Sequence, residues 1–301
     1  MMAVRAQEST RTAAAGSLVS GQRFRTRIGH LLLHAVLIAF GFIFVVPFLW
    51  MIVTSLKVSG TEFTYPPQWI PHPIVWGNYR QALVDVVPFL TYFKNTAIVA
   101  AGVTIGDLLT ASMAAYSFAR LRFPGRNILF MGTLATLMLP NIVTIIPTFL
   151  LMRYLHWIDT LLPLIVPSWA GGSAFSIFLF RQFFMTIPLE LDEAARMDGA
   201  NPLRIWWNVI MPLSGTVIAT VAIFDVLNSW NDFFTPLIFL NTPGNFTMSL
   251  GLGQYVVDHG GQYYNLQMAA ATVMTIPVML LFFFAQRYFM RGIVTTGLAG
   301  R

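Results

Sequence analysis

Between Asp225 and Asp232 the chain reads DVLNSWND, and five of these residues carry groups that bind hydroxyls or amides: Asp225, Asn228, Ser229, Asn231 and Asp232. At about 100° per residue, a helix puts Asp225, Asn228, Ser229 and Asp232 on one face. Trp230 and Asn231 add an aromatic ring and an amide beside it. Such a stripe suits the lining of a path for a polar, hydroxyl-rich solute. It equally suits hydrogen bonding between packed helices, and both readings stay open on these residues alone. A second polar concentration is IPLELDEAARMDGANPLRIWWNVIMP, Ile187 to Pro212, with four of the twelve acids of the chain: Glu190, Asp192, Glu193 and Asp198.

Catalytic chemistry finds little support. The turn GGSA, Gly171 to Ala174, loosely resembles the nucleophile turn of rhomboid-type serine proteases, but that chemistry needs a histidine base on a neighbouring helix. The five histidines, His30, His34, His72, His156 and His259, fall near or beyond the ends of the apolar runs. An aspartyl intramembrane protease needs two facing acids. Asp107 lies in TIGD, where that class wants Gly in place of Thr104, and Asp225 follows Phe224 instead of Tyr. No His-Glu-x-x-His occurs, so no metal is expected. A phosphate-binding P-loop needs Gly before its Lys, whereas Lys57 and Lys94 follow Leu56 and Phe93. No cofactor is expected on this chain. If it moves solute uphill by hydrolysis, ATP and Mg must sit on a partner.

The elements that carry these residues are set by composition. Of 301 residues, 56% are hydrophobic and 10% charged, against about 25% charged in a soluble domain. A helix crosses a bilayer with roughly 20 apolar residues, and six runs qualify: 30–54, 95–119, 128–152, 161–184, 214–239 and 267–290. Barrel strands are far shorter. The expected fold is an all-α integral membrane protein of six transmembrane helices. Residues 1–27 read as a flexible tail and 28–301 as the membrane domain, with a loop at 185–212. Arg and Lys crowd the N-terminal tail, the loop at 120–126, the 187–212 flank and the C-terminal end. Only Lys57, Arg80, Lys94 and Arg153 lie on the other side. Positive residues stay in the cytoplasm, so both termini and the 187–212 segment are expected there. This asymmetry accounts for the net charge of +6 without nucleic acid.

Prolines at 140, 147, 163, 167 and 277 predict bends in the spans. The external segment 57–94 is broken by Pro66, Pro67, Pro71 and Pro73. Segment 241–266 is rich in Gly and is expected to be conformationally permissive. Cysteine is absent.

The 187–212 segment reads as two short helices. Pro188 opens the first, its acids complement the helix dipole, and Gly199 ends it in a left-handed turn. Asn201 and Pro202 then cap and start the second. Small Ala194 and Ala195 beside Glu193 allow another surface to approach closely. Glu193-Ala194-Ala195, Gly199 and Val209-Ile210-Met211-Pro212 resemble the EAA loop of ABC-importer permeases in spacing, with Val209 and Met211 as departures. NYRQAL, FKNTAIVA, AAYSFARLRFPGR, FRQFFMTIP, SWNDFFTPLIF and QRYFMRGIVTTGLAG extend the resemblance to the maltose-type carbohydrate branch, from about residue 30 to the end.

The resemblance implies a type I importer permease in a bacterial inner membrane, the smaller permease of its pair, taking in a sugar or related polyol. The nearest alternative is a solute of the glycerol phosphate type. An intramembrane protease and a passive scaffold are the readings from other classes. Glu193, Ala194, Ala195, Asp198 and Gly199 would contact a cytoplasmic ATPase dimer. A second homologous permease and an extracytoplasmic binding protein would complete the assembly, with segment 241–266 facing the latter.

Overall fold

The computed structural model describes the backbone of residues 2–86, 88–259 and 263–298, and its regular structure there is helical throughout. In chain order the helices are α1 (Met2–Ser55), α2 (Gly77–Arg80), α3 (Phe89–Arg120), α4 (Arg126–Ala135), α5 (Asn141–Tyr154), α6 (Leu162–Ile165) and α7 (Ala174–Thr186). They continue as α8 (Glu190–Met197), α9 (Pro202–Ile205), α10 (Met211–Leu213), α11 (Gly215–Asn231), α12 (Phe234–Phe239), α13 (Met248–His259) and α14 (Tyr264–Leu298).

Among the described residues, four stretches are long and apolar enough to cross a membrane: Gly29–Ser55, Phe89–Arg120, Leu162–Thr186 and Tyr264–Phe284. They correspond to the first, second, fourth and sixth expected spans. The backbone of the expected tail is helical and continuous with the first. The third span is not one helix. Arg126–Met138 and Ile142–Tyr154 meet at 100°, and Leu139 and Pro140 between them are extended. Proline cannot donate to the helix and pushes its predecessor out of the helical region, so the break sits at Pro140. The fifth span is also shorter than expected: α11 ends at Asn231, and Asp232 is extended before α12. Pro202–Leu213 meets α11 at 84°, and the total reaches six spans only if each bent pair counts as one.

α3 is the central strut, packed against α7, α11 and the α6 turn, while α14 packs on α1. Glycine makes the closest of these contacts. A side chain at Gly102 would meet Ile165 at 2.7 Å, and one at Gly106 would meet the Trp169 ring at 2.4 Å. These two glycines, four apart, let backbones approach as small residues do between membrane helices. The gap between them is closed by Trp169, whose Nε1 donates to the Gly102 carbonyl at 3.0 Å.

Two apolar cores occupy opposite ends of α3. Ala111, Ala115, Phe180, Phe184, Ile205, Ile210 and Val221 form one, which joins the 187–212 segment to the bundle. Tyr92, Trp230, Met248, Leu250, Leu266 and Ala269 belong to the other.

A polar knot closes α1 onto α14. Lys57 is 1% exposed and its ammonium lies 4.2 Å over the Trp50 ring. Burial holds it below its ordinary pKa, opposed by the Glu62 carboxylate. Asn78 donates to the carbonyls of Ser55 and Lys57 at 2.8 Å each. Glu62 accepts the backbone N–H of Asn265 at 3.2 Å.

Candidate functional site: a docking helix and a polar cavity

The 187–212 segment folds as its residues dictate, with one shift. α8 begins at Glu190, two residues beyond Pro188, and Glu190, Asp192 and Glu193 fill its first turn. Gly199 has φ +80°, the left-handed turn that glycine adopts without steric cost. Asn201 Oδ1 accepts the N–H of Arg204 at 2.8 Å, and Pro202 opens α9. The result is a knob of two short helices folded back on each other.

Its two faces differ. Glu193, Ala194, Asp198 and Gly199 are exposed, as is Met197 at 88%, while Ala195 is half-buried and packs on the apolar core. Asp192 points the other way and is 2% exposed. Its Oδ2 lies 3.5 Å from Nε of Arg120, at the end of α3. Nη2 of Arg120 donates to the carbonyls of Phe184 and Ile187, each at 2.6 Å. One guanidinium at the end of α3 is therefore bonded to the end of α7 and lies against the start of α8. Burial pushes the Asp192 carboxyl above its ordinary pKa, against the pull of Arg120 and Arg196. Sequence reasoning counted Arg120 only as a charge beside the membrane and Asp192 only as one of the acids that complement the helix dipole. The available signal was helical spacing: Asp192 lies one turn before Ala195, on the inward side.

The polar stripe on α11 divides. Asn228, Ser229, Asn231 and Asp232 line a cavity of about 680 Å³, with Val99, Val103, Thr148, Leu164 and Pro167 opposite. Pockets that hold small solutes span about 300–1,000 Å³. Asp225 does not line this cavity. It is 8% exposed and its carboxyl sits beside that of Asp107 on α3. Asp107 Oδ1 in turn accepts the N–H of Ser173. The expectation that Asp225 and Asp232 share a face fails because the helix ends between them. Asp232 is extended, and its Oδ1 accepts the N–H of Thr235 at 3.1 Å, starting α12.

Asp107 and Asp225 thus face each other, which their sequence contexts did not lead one to expect. They are sealed among α3, α7 and α11, with Asp107 only 2% exposed, so no substrate backbone reaches them in this arrangement. Ser173 is also occupied: its hydroxyl accepts the N–H of Ser176 and caps α7.

Segment 241–266 is not the permissive loop its glycines suggested. Residues 248–259 form α13. A side chain at Gly251 would strike Tyr92 at 2.1 Å, and one at Gly253 would strike Phe233 at 2.4 Å, so these glycines serve close packing. Residues 260–262 lie outside the described residues. The start of the segment is tied to the turn before α6. Asp159 Oδ1 accepts the N–H groups of Asn241 and Thr242 at 2.9 Å each, and Oδ2 the Thr242 hydroxyl. These bonds, led by those from Thr242, hold the Asp159 pKa down at about 2.

Comparison with known proteins gives concordant matches. The family model described as "Binding-protein-dependent transport system inner membrane component" matches residues 106–295. The arabinooligosaccharides transport system permease protein AraQ of Halalkalibacterium halodurans is 32% identical over 265 residues, covering 86% of this chain and 92% of the relative. The sn-glycerol-3-phosphate transport system permease protein UgpE of Pectobacterium atrosepticum is 34% identical over 238 residues, covering 77% and 84%. Among solved structures, a chain of a bacterial ABC transporter involved in the import of the acidic polysaccharide alginate superposes with a TM-score of 0.75. It shares 26% identity over 87% of this chain and 97% of its own. A chain from a complex of that type of transporter with an alginate pentasaccharide-bound periplasmic protein, at 15% identity and TM-score 0.62, shares the fold.

Proposed function

We infer the function from one premise: the chain belongs to the family of binding-protein-dependent transport system inner membrane components. It is a multi-pass inner-membrane permease subunit of an ABC importer for sugars or oligosaccharides or glycerol-3-phosphate, and it is not itself catalytic. Within that range we propose a neutral sugar or polyol as the solute. The observation that supports this is the cavity under α11. Its polar lining is Asn228, Ser229, Asn231, Asp232, Thr148, Thr235 and Thr247, and among the described residues lining it none is Lys or Arg. Amides, hydroxyls and one carboxylate match a hydroxylated solute. A phosphate or uronate calls for guanidinium or ammonium donors.

We further propose that α8 is the coupling helix and that it lies with both termini on the cytoplasmic side. Its exposed edge, Glu193, Ala194, Asp198 and Gly199, would seat in a cytoplasmic ATPase dimer that binds ATP and Mg. A second, homologous permease would complete the pore. The Gly29–Ser55 span supports this, since none of its apolar window is buried within the chain, leaving it for lipid and a partner. An extracytoplasmic binding protein would deliver the solute.

Glu193→Lys tests the docking role. The variant is expected in the membrane at normal level while the ATPase is lost on co-purification. Retention of the ATPase with full substrate-stimulated hydrolysis would remove Glu193 from the interface. Competition for uptake separates the solutes: neutral oligosaccharides should compete and sn-glycerol-3-phosphate should not.

A further inference from the structure

The buried contact between Arg120 and Asp192 is an ion pair without hydrogen bonds. Both residues are nearly sealed, with side chains 1% and 3% exposed. Yet neither Nε of Arg120 nor either oxygen of Asp192 has a hydrogen-bond partner. At 3.5 Å, the pair stands roughly 0.6–0.8 Å beyond the 2.7–2.9 Å of a charge-assisted hydrogen bond. The other side of the same guanidinium is tightly held, at 2.6 Å from each of two carbonyls at the end of α7. Arg120 is thus fixed to α3 and α7 and loose only towards α8.

We propose that Arg120 is a positioning residue for transport: with Asp192 it forms a latch that is open in this conformation and closes when α8 shifts towards α3, passing motion of the docking helix to the α3–α7 pair. The inference rests on the reading of α8 as the docking helix.

The physical case is that a buried ion pair stabilises only with good geometry and further hydrogen bonds, and costs stability when its groups are left unpaired. The open latch leaves an uncompensated desolvation cost, consistent with the raised pKa of Asp192. A sub-ångström approach of α8 converts that cost into a charge-assisted bond from Nε of Arg120 to Asp192. Packed elements with two discrete arrangements are what transmission between sites requires. Beside Asp192 lie Arg196 and Tyr116. Arg196 is an exposed residue of α8 itself and moves with it, whereas Arg120 belongs to α3 and joins α8 to the α3–α7 pair.

The test uses the whole importer reconstituted in lipid with its ATPase, second permease and binding protein. ATP hydrolysis and uptake are measured with arabinotriose, sn-glycerol-3-phosphate and an alginate trisaccharide as probes. Asp192→Asn keeps shape and removes the charge. Arg120→Lys keeps the charge and loses the fork that reaches α7 and α8 together. Both should assemble and keep basal hydrolysis, while solute moved per ATP falls about tenfold. Asp192→Glu should recover at least half of it. Unchanged solute per ATP in the assembled Asp192→Asn complex would overturn the latch. So would failure of all three variants to assemble, which would make the pair a folding element only. Glu193→Lys is run in parallel. Loss of the ATPase there with full coupling in Asp192→Asn defeats the latch and spares the docking role. The reverse pattern removes Glu193 from the interface and leaves the latch standing.

Discussion

Gly172 sets how closely α7 can lie on α3, and replacing it with alanine should separate the two helices. Its φ is +74°, and an added Cβ would lie 2.5 Å from Cβ of Ala111 and 2.7 Å from both Cα and N of that residue. Two of the three obstacles are backbone atoms of α3, which no side-chain rotation can move. Comfortable carbon contacts are about 3.5–4.0 Å, so the helices must part by roughly 1 Å. The left-handed conformation costs an L-residue about 1–2 kcal/mol, and overpacking adds about 1–3 kcal/mol. The stiffer unfolded chain gives back about 0.4–1 kcal/mol, leaving a net loss of about 1–4.5 kcal/mol.

Gly125 is the control, with φ +79° and nothing within 4 Å. Gly125→Ala should cost about 1.5 kcal/mol or less, from the conformational cost alone. Thermal unfolding of each purified variant in lipid nanodiscs measures the difference. Gly172→Ala should lower the midpoint by at least twice as much as Gly125→Ala. Adding Ala111→Gly should restore part of the loss, because Cα and N remain in the way. Equal shifts for the two glycine variants would refute the close-approach argument.

Two further outcomes follow from the polar groups. Asp159 has its folded pKa lowered from 3.8 to about 2, so its clasp contributes above the unfolded value and is lost as pH falls from about 4 towards 2. Asp159→Asn should mimic the acid form at pH 7, speeding amide exchange at Asn241 and Thr242 only modestly, by about 1 kcal/mol or less for so exposed a group. Asn228→Ala should cut uptake with normal assembly, because Asn228 lines the cavity. Asp225→Ala should instead reduce assembled protein, because Asp225 is packed beside Asp107 in the sealed contact among α3, α7 and α11 and its loss leaves a void there. Similar uptake defects at equal assembly would return Asp225 to the path.

Much of this architecture was legible in the sequence where one property decided it. Hydropathy and length placed the straight spans, and cap and turn residues placed the knob from Glu190 to Ile205. Gly199 and Asn201 behave as their local chemistry requires. Local rules did less well where distant residues decide. Pro140 announced a break but not its angle, which depends on what α4 and α5 pack against. The end of α11 at Asn231 was hidden because DFFTPL is apolar enough to extend a helix, and the Asp232 cap outweighs that tendency. Gly251 and Gly253 looked like loop residues because a glycine needed for close packing and one needed for flexibility have the same formula. Gly102 and Gly106 carried a readable small-residue spacing that went unread. The opposition of Asp107 to Asp225 and of Arg120 to Asp192 joins residues far apart in the chain, which no local pattern reports.

The account stands on the claim that this chain transmits work done elsewhere. Proteoliposomes holding the permease pair and the binding protein, assembled with and without the ATPase subunits, test it most directly. Uptake of solute against its gradient should require the ATPase and internal or external ATP on its side of the membrane. Uphill uptake by vesicles that contain this chain and no ATPase would contradict it.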